Sequence, residues 1–305
     1  MLDAPLDAEP LPPLESVTLA ENLLGPVNLA VADGYAFIGD QIADRIDRCE
    51  LVDCAGTLAP LVPNQPLRQL AHTDAHLIWT TNAGVFRCAL PACSSVEPLL
   101  EQALHTTALH VRGDDVYIAD ATSAKLLRLR IGQAPEVIVQ DPGDCRGILA
   151  TDQDVYFTRY GVPPEVAGVF RCPLTGCVTP PTNLLGSEPL VIGLQSLLLH
   201  EGTMMMASAG QLSACEITDC KDTFVPLVTG SESNESLIEA GVGKMAWVTR
   251  PSGVSVCSAI NCAATRQSVP TLGTLTQALD YYAGSLYVIE SSEPDNGKLI
   301  RVDGF

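Results

Sequence analysis

The chain is predicted to be an all-β protein, a seven-bladed β-propeller of four-stranded antiparallel blades whose last blade is closed by the N-terminal strand. Two observations carry the blade count. Short apolar segments (AFIGD, LIWTT, VYIAD, VYFTR, MMMAS, MAWVT, LYVIE) recur around Phe37, Ile78, Tyr117, Tyr156, Met205, Ala246 and Tyr287, at spacings of 41, 39, 39, 49, 41 and 41. Five cysteine pairs, each with four intervening residues, follow strand-like segments that end alike: RIDRC, GVFRC, GVFRC, QLSAC and GVSVC. A unit of about 40 residues holding four strands is the size of a propeller blade. The third observation concerns closure: only six fourth strands follow the seven third strands, and a spare one stands at the N-terminus.

Each blade reads in the same order. A first apolar stretch (NLAVADG, QLAHTDA, ALHVRGD, GILATDQ, SLLLHEG, LIEAGVG, ALDYYAG) meets the second strand across a Gly, Asp or Glu turn signal, which predicts a hairpin. The segment leading to each cysteine alternates apolar and polar residues and forms the third strand. A fourth apolar run follows in six units: LAPLV, VEPLL, PEVIV, PTNLL, FVPLV and QSVPTL. The seventh unit ends at Phe305 after KLIRV, and residues 15–22 (ESVTLAEN) carry the missing pattern. Pairing Val17 to Ala20 with Leu299 to Val302 would close the ring and remove an exposed sheet edge. Residues 1–13 read as a flexible acidic, proline-rich leader, and residues 14–305 as one propeller domain.

Composition narrows the partners. No run of about 18 apolar residues occurs, so no membrane span is expected. The formal charge of −19, with lysine only at Lys125, Lys221, Lys244 and Lys298, argues against nucleic acid, whose phosphates require a basic surface. A monomer is expected.

The cysteine spacing places Cys49 with Cys54, Cys88 with Cys93, Cys172 with Cys177, Cys215 with Cys220 and Cys257 with Cys262 across hairpin turns. That geometry suits disulfides; zinc is the competing reading, but its pairs are spaced more closely and two must converge on one ion. Each small loop would contribute about 2 kcal/mol. Blade three has Leu129 and Ala134 at the paired positions, both cysteines being absent together, and Cys145 is left as a free thiol. Five disulfides imply an oxidising, extracytoplasmic compartment: periplasm, cell surface or medium. The opening DAPLDAEPLPP resembles the tether that follows a removed leader.

The segments IWTT, VYIAD and VYFTR, with their LAVADG-type hairpins, resemble YWTD and NHL-like propellers. RCPLTGC and RCALPAC are similar to segments of cysteine-paired exported propellers of myxobacteria and related bacteria. The resemblance implies the fold over Pro26 to Phe305 and supplies no catalytic residues.

The sequence has no nucleophile elbow, HExxH zinc motif, phosphate-binding glycine loop or EF-hand. His72 and His76 have metal-like spacing but straddle a predicted turn. Counting back from the repeat anchors gives Ala30, Ala71, His110, Leu149, Leu198, Glu239 and Asp280 as equivalent positions on the innermost strands. Glu239, Asp280 and His110 are thereby candidate ligands for a divalent cation such as calcium in the central channel. The loops after the second strands offer a second candidate surface, with Asp40, Asp120, Glu290, Glu293 and Asp295 as binding groups for a basic protein or a cation. The leading functional expectation is a non-catalytic exported propeller that presents its loop-rich face to a protein or glycan and requires no cofactor. The alternative is a cation-dependent, hydrolase-like propeller with its site at the channel.

Overall fold

The computed structural model describes residues 12–160, 167–177, 180–186, 193–241, 243–249, 253–259, 261–269, 276–291 and 295–304. They form seven blades of four antiparallel strands. Blade 1 runs Pro26–Ala32, Tyr35–Asp40, Arg45–Glu50 and Ala59–Val62, from the channel outward. Blade 2 is Leu67–His72, His76–Thr81, Gly84–Ala89 and Val96–Glu101; blade 3 is Thr106–Arg112, Asp115–Asp120, Lys125–Leu129 and Glu136–Gln140. Blade 4 is Ile148–Ala150, Asp154–Arg159, Gly168–Pro173 and Thr182–Asn183.

Blades 5 and 6 share one continuous hydrogen-bonded sheet. Thr203–Glu216 holds the second and third strands of blade 5, and Val225–Glu239 holds its fourth strand and the first strand of blade 6. The pairing of Ala209 with Ser233 stitches the two blades together. Blade 7 is Thr276–Tyr282, Ser285–Ser291 and Gly297–Asp303, with Glu15–Leu23 as its outer strand. Val17 lies opposite Arg301 and Ala20 opposite Leu299, so the chain ends close the ring as the repeat count requires.

The hairpin turns follow from the sequence. In blade 1 the two-residue turn Asp33-Gly34 has both φ angles positive (51° and 79°), as does Glu201-Gly202 in blade 5 (46° and 81°). Such turns match the right-handed twist of the flanking strands, and glycine adopts the second position without steric penalty.

The core is divided among the seams between blades. Among the described residues, seven apolar clusters occupy the seven seams, one each. The seam that closes the ring sets Val31, Ala36 and Ile38 of blade 1 against Tyr287, Ile289 and Leu299 of blade 7, with Ala20 and Leu23 of the N-terminal strand beside them. Period-2 alternation explains this arrangement, because each strand sends successive side chains to opposite neighbouring blades. Trp79 and Trp247 are both fully buried, each in the seam its blade shares with the preceding one.

All five cysteine pairs form disulfides, and Cys145 is the free cysteine. In every case the first cysteine faces the preceding blade. Leu129 in blade 3 and Val302 in blade 7 fill the same position, opposite Val116 and Leu286. Each cystine loop is also hydrogen-bonded to the turn between the first two strands of its own blade. Leu51 N–H donates to Gly34 O (2.9 Å), Leu90 to Ala75, Leu174 to Gln153, Ile217 to Gly202 and Ala259 to Gly243. In blades 1, 5 and 6 the second cysteine opens a single helical turn: Cys54–Thr57, Cys220–Thr223 and Cys262–Thr265. Its closing threonine acts as a clasp. Thr57 Oγ1 accepts from Glu50 N–H (2.9 Å) and donates to Asp53 O (2.7 Å), and Thr223 and Thr265 repeat the pattern.

The antiparallel order places every cystine loop on one face of the ring, with the turns between first and second strands. The connections after the second and fourth strands occupy the opposite, loop-bearing face.

Candidate functional site

The acidic residues at the ends of the second strands are structural caps. Asp40 and Asp120, candidate binding groups from the sequence, are 1% and 2% exposed. Asp40 Oδ1 accepts from Ile42 N–H (2.9 Å) and Ala43 N–H (2.8 Å). Asp120 accepts from the N–H groups of His105, Thr122 and Ser123. Burial pulls the Asp120 carboxyl upward, but the hydrogen bonds from Ser123, His105 and Thr122 outweigh it and hold it below the ordinary aspartate value. Thr81 occupies the same place in blade 2 and accepts from Ala83 N–H (3.0 Å). Glu290 is likewise buried, between Thr276 and Lys298 in the sheet of blade 7. Asp295 is exposed, and Glu293 lies outside the described residues.

The channel candidates do not converge. In six blades the first-strand residue opposite the repeat anchor lies seven positions before it: Ala30 opposite Phe37, for example, and Asp280 opposite Tyr287. In blade 6 Ala246 faces Ile238, eight positions back. The connection between those strands is one residue longer there, so Glu239 stands one register step beyond the position assigned from spacing. A one-residue step turns a side chain to the other face of the sheet. Glu239 accordingly turns to blade 5, where its Oε1 lies 3.0 Å from His200 Nδ1.

Asp280 turns the opposite way, toward blade 1. Its Oδ2 accepts from Val31 N–H (2.7 Å) and lies 3.3 Å from His72 Nε2 of blade 2, while Oδ1 accepts from Tyr281 N–H. One carboxylate thus ties three blades together beside the closing seam. Burial lowers the affinity of His72 for a proton, but the hydrogen bond and charge of Asp280 prevail and raise its pKa above the ordinary value. His76, at the start of the next strand, is separated from His72 by the turn in which Thr73 N–H donates to His76 O.

His110 sits away from both carboxylates, its ring 6.3 Å from that of Tyr117. Burial, reinforced by the charge of Arg112, lowers its pKa to about 4. Among the described residues, no group of three or more His, Cys, Asp and Glu side chains is arranged to hold a metal ion. Cys145 is buried, its thiol pushed up to about 12 by burial and then by the charge of Asp144.

The loop face opens at the channel mouth into a polar depression of about 440 Å³. Blades 1 to 4 contribute to it, through Gln41 and Asp44, Arg68 and Asn82, His105 and Thr107, and Arg146 respectively. Asn82 Oδ1 accepts from Arg68 Nε (2.5 Å). Arg146 is held by Asp144 through two bonds, of 2.7 and 3.0 Å, and lies over the Tyr160 ring at 5.8 Å. Spacing alone did not single out these residues, because the depression is assembled from first-strand ends and loops of different blades.

Solved structures share this architecture at low sequence identity. A catalytically inactive histidine-to-alanine variant of virginiamycin B lyase from Staphylococcus aureus, solved with quinupristin, is 11% identical with a TM-score of 0.71. The match covers 95% of this chain and 99% of that one. The AfRom2 CNH domain is 9% identical, with a TM-score of 0.69 over 95% of this chain and 100% of the other. The extracellular domain of the putative one-component system BT4673 from B. thetaiotaomicron matches at 12% identity and a TM-score of 0.68. That match covers 94% of this chain and 39% of the other. No family model matches the chain, and no curated protein does. The likeness is one of fold.

Proposed function

We propose that the protein is an extracytoplasmic, disulfide-stabilised propeller that binds a protein or glycan partner through its loop face, without catalysing a reaction. The observation that carries this reading is the contrast between the faces: cystine loops fasten one, and the other opens a polar depression shared by blades 1 to 4. Disulfides persist in oxidising compartments, which supports the location, and an extracellular domain of the same fold is compatible with it. Binding sites on repeat rings favour loops held by a rigid scaffold.

A glycan and protein array probed with the oxidised chain tests the reading. Each hit is measured again with Gln41→Ala/Asn82→Ala on the loop face and Glu201→Ala on the cystine face. Loss with the first variant and retention with the second is expected. The reverse pattern overturns the reading.

An enzymatic reading has one observation in its favour. His105 lines the depression, and a propeller of the same fold is described as catalytically inactive when a histidine is replaced. Its cation-dependent form is tested by calorimetric titration with calcium against an Asp280→Asn variant. Heat in the wild type that disappears in the variant would favour it over the interaction reading.

A further inference from the structure

The first strands begin with a repeated irregularity. Pro26 faces Asp40 and Asn28 faces Gly39, so Val27 is an extra residue, a β-bulge. The same slip leaves Arg68 extra in blade 2, Thr107 in blade 3 and Gln277 in blade 7. Arg146 stands at that level in blade 4, where its own N–H and that of Gly147 both donate to Thr158 Oγ1. Gln195 stands there in blade 5, donating its N–H to Ala207 O. A bulge removes a residue from ladder pairing and redirects its side chain, and bulges concentrate beside functional sites.

The chemistry at this level is selective. The chain has 36 Asp and Glu against 17 Lys and Arg, yet the positions in these six blades hold two arginines, two glutamines, a threonine and a valine, with no acid; blade 6 slips one pair further along, at Ser236. Arg68, Thr107 and Arg146 occupy consecutive blades, and all three line the depression. Arg68 is exposed, and the neutral Asn82 amide engages its Nε. Among the described residues it forms no ion pair, so the terminal guanidinium nitrogens remain available to a ligand. Arg146 keeps 48% of its side chain exposed while Asp144 fixes its orientation.

We infer that the bulge residues Arg68 and Thr107, with Arg146 at the same level of blade 4, form a binding site for an oxyanion, carboxylate or phosphate, on a small hydroxyl-rich ligand. The inference deepens the loop-face reading and rests on it. A guanidinium fork matches the planar or tetrahedral oxygens of such groups, and Thr107, whose hydroxyl donates a long bond to Ala119 O (3.4 Å), stands in the blade between the two arginines. The amides of Gln41 and Asn82 supply partners for ligand hydroxyls. A cavity of about 440 Å³ is large enough for a sugar-sized molecule.

The test is isothermal titration of the oxidised protein with glucuronate, glucose 6-phosphate and neutral glucose, repeated with R68Q, R146Q and the cystine-face control R112Q. Saturable binding of one or both anions, weakening with added salt and absent for glucose, is expected; the two anions distinguish a carboxylate site from a phosphate site. R68Q should weaken binding by about tenfold to a hundredfold, as for a lost hydrogen bond to a charged group, while R112Q should leave it unchanged. Equal binding of glucose, full affinity in R68Q, or no saturation by either anion at millimolar concentration overturns the inference. The array hits distinguish its failure from that of the broader reading: a hit lost in Gln41→Ala/Asn82→Ala but kept in R68Q leaves loop-face binding standing without an anion site.

Discussion

Blades 1 and 3 close the same hairpin with different chemistry. In blade 1, Cys49 and Cys54 are joined covalently and Thr57 clasps the turn that follows. Blade 3 has Leu129 in the seam, and the neighbouring cations close on one carboxylate instead. Asp115 accepts from Arg128 Nε (2.9 Å) and Nη2 (2.5 Å) and from Arg130 Nε (2.5 Å). Tyr117, whose hydroxyl donates to Asp115 at 3.4 Å, is pushed up to about 12 by burial and then by that carboxylate. The two chemistries lock one position with different sensitivities: a cystine responds to reductant, whereas an ion cluster responds to salt and protons.

The largest effect should come from reducing the covalent blades. Each cystine closes a short loop contributing about 2 kcal/mol, so the five together approach about 10 kcal/mol, comparable to the whole stability of a typical domain. Thermal melts followed by near-UV circular dichroism should show the protein unfolding or losing tens of degrees in reductant. A melting temperature unchanged by reduction would break the contrast at its stronger side.

The second effect belongs to blade 3 and to pH. His110 has a folded pKa of about 4, below its ordinary value of 6.5. Between those values the unfolded chain binds a proton that the folded chain does not, so stability falls as pH falls through this window. The full loss is on the order of 3 kcal/mol. His110→Gln should flatten that acid limb in melts between pH 7 and pH 4. The limb would have to arise elsewhere if the variant retained it. His72 has the opposite sign: its raised pKa gives stability that is complete below the unfolded value and lost as pH rises through the folded one.

Asp115→Asn should cost about 1–2 kcal/mol, since the cluster is partly solvated, and the cost should shrink in high salt. Chemical denaturation at two ionic strengths measures it. The smallest change is Thr57→Val, which removes two hydrogen bonds at an exposed turn and should cost about 1 kcal/mol. Equivalent losses from Thr223→Val and Thr265→Val would sharpen the view that the threonine clasp is part of the cystine module.

These differences also mark what the sequence could convey. Strand alternation and cysteine spacing are local signals, so the blades, the disulfides and the closing strand were all legible. The threonine clasp was present as C-x-x-T after Cys54, Cys220 and Cys262, but hydroxyl bonding is visible only once the turn is built. Glu239 was misplaced by one register step because repeat spacing assumes equal turns, and the turn of blade 6 is longer. Asp40 and Asp120 carried a signal of their own, each standing at the head of a four-residue turn (QIAD, ATSA), the place of an aspartate that bonds the backbone ahead of it. The bulges were silent because they are defined by pairing between strands, and with them the two arginines of the channel mouth.

The division between covalent and ionic blades is tested most directly by hydrogen-exchange mass spectrometry of one sample in three conditions: oxidised at low salt, oxidised at high salt, and reduced under mild conditions before global unfolding. The account predicts that reduction accelerates exchange in the hairpins of blades 1, 2, 4, 5 and 6 before that of blade 3, while high salt accelerates blade 3 most, ahead of blade 4, whose single Arg171–Asp154 pair stands beside a cystine. Uniform acceleration across all blades in both conditions would contradict it.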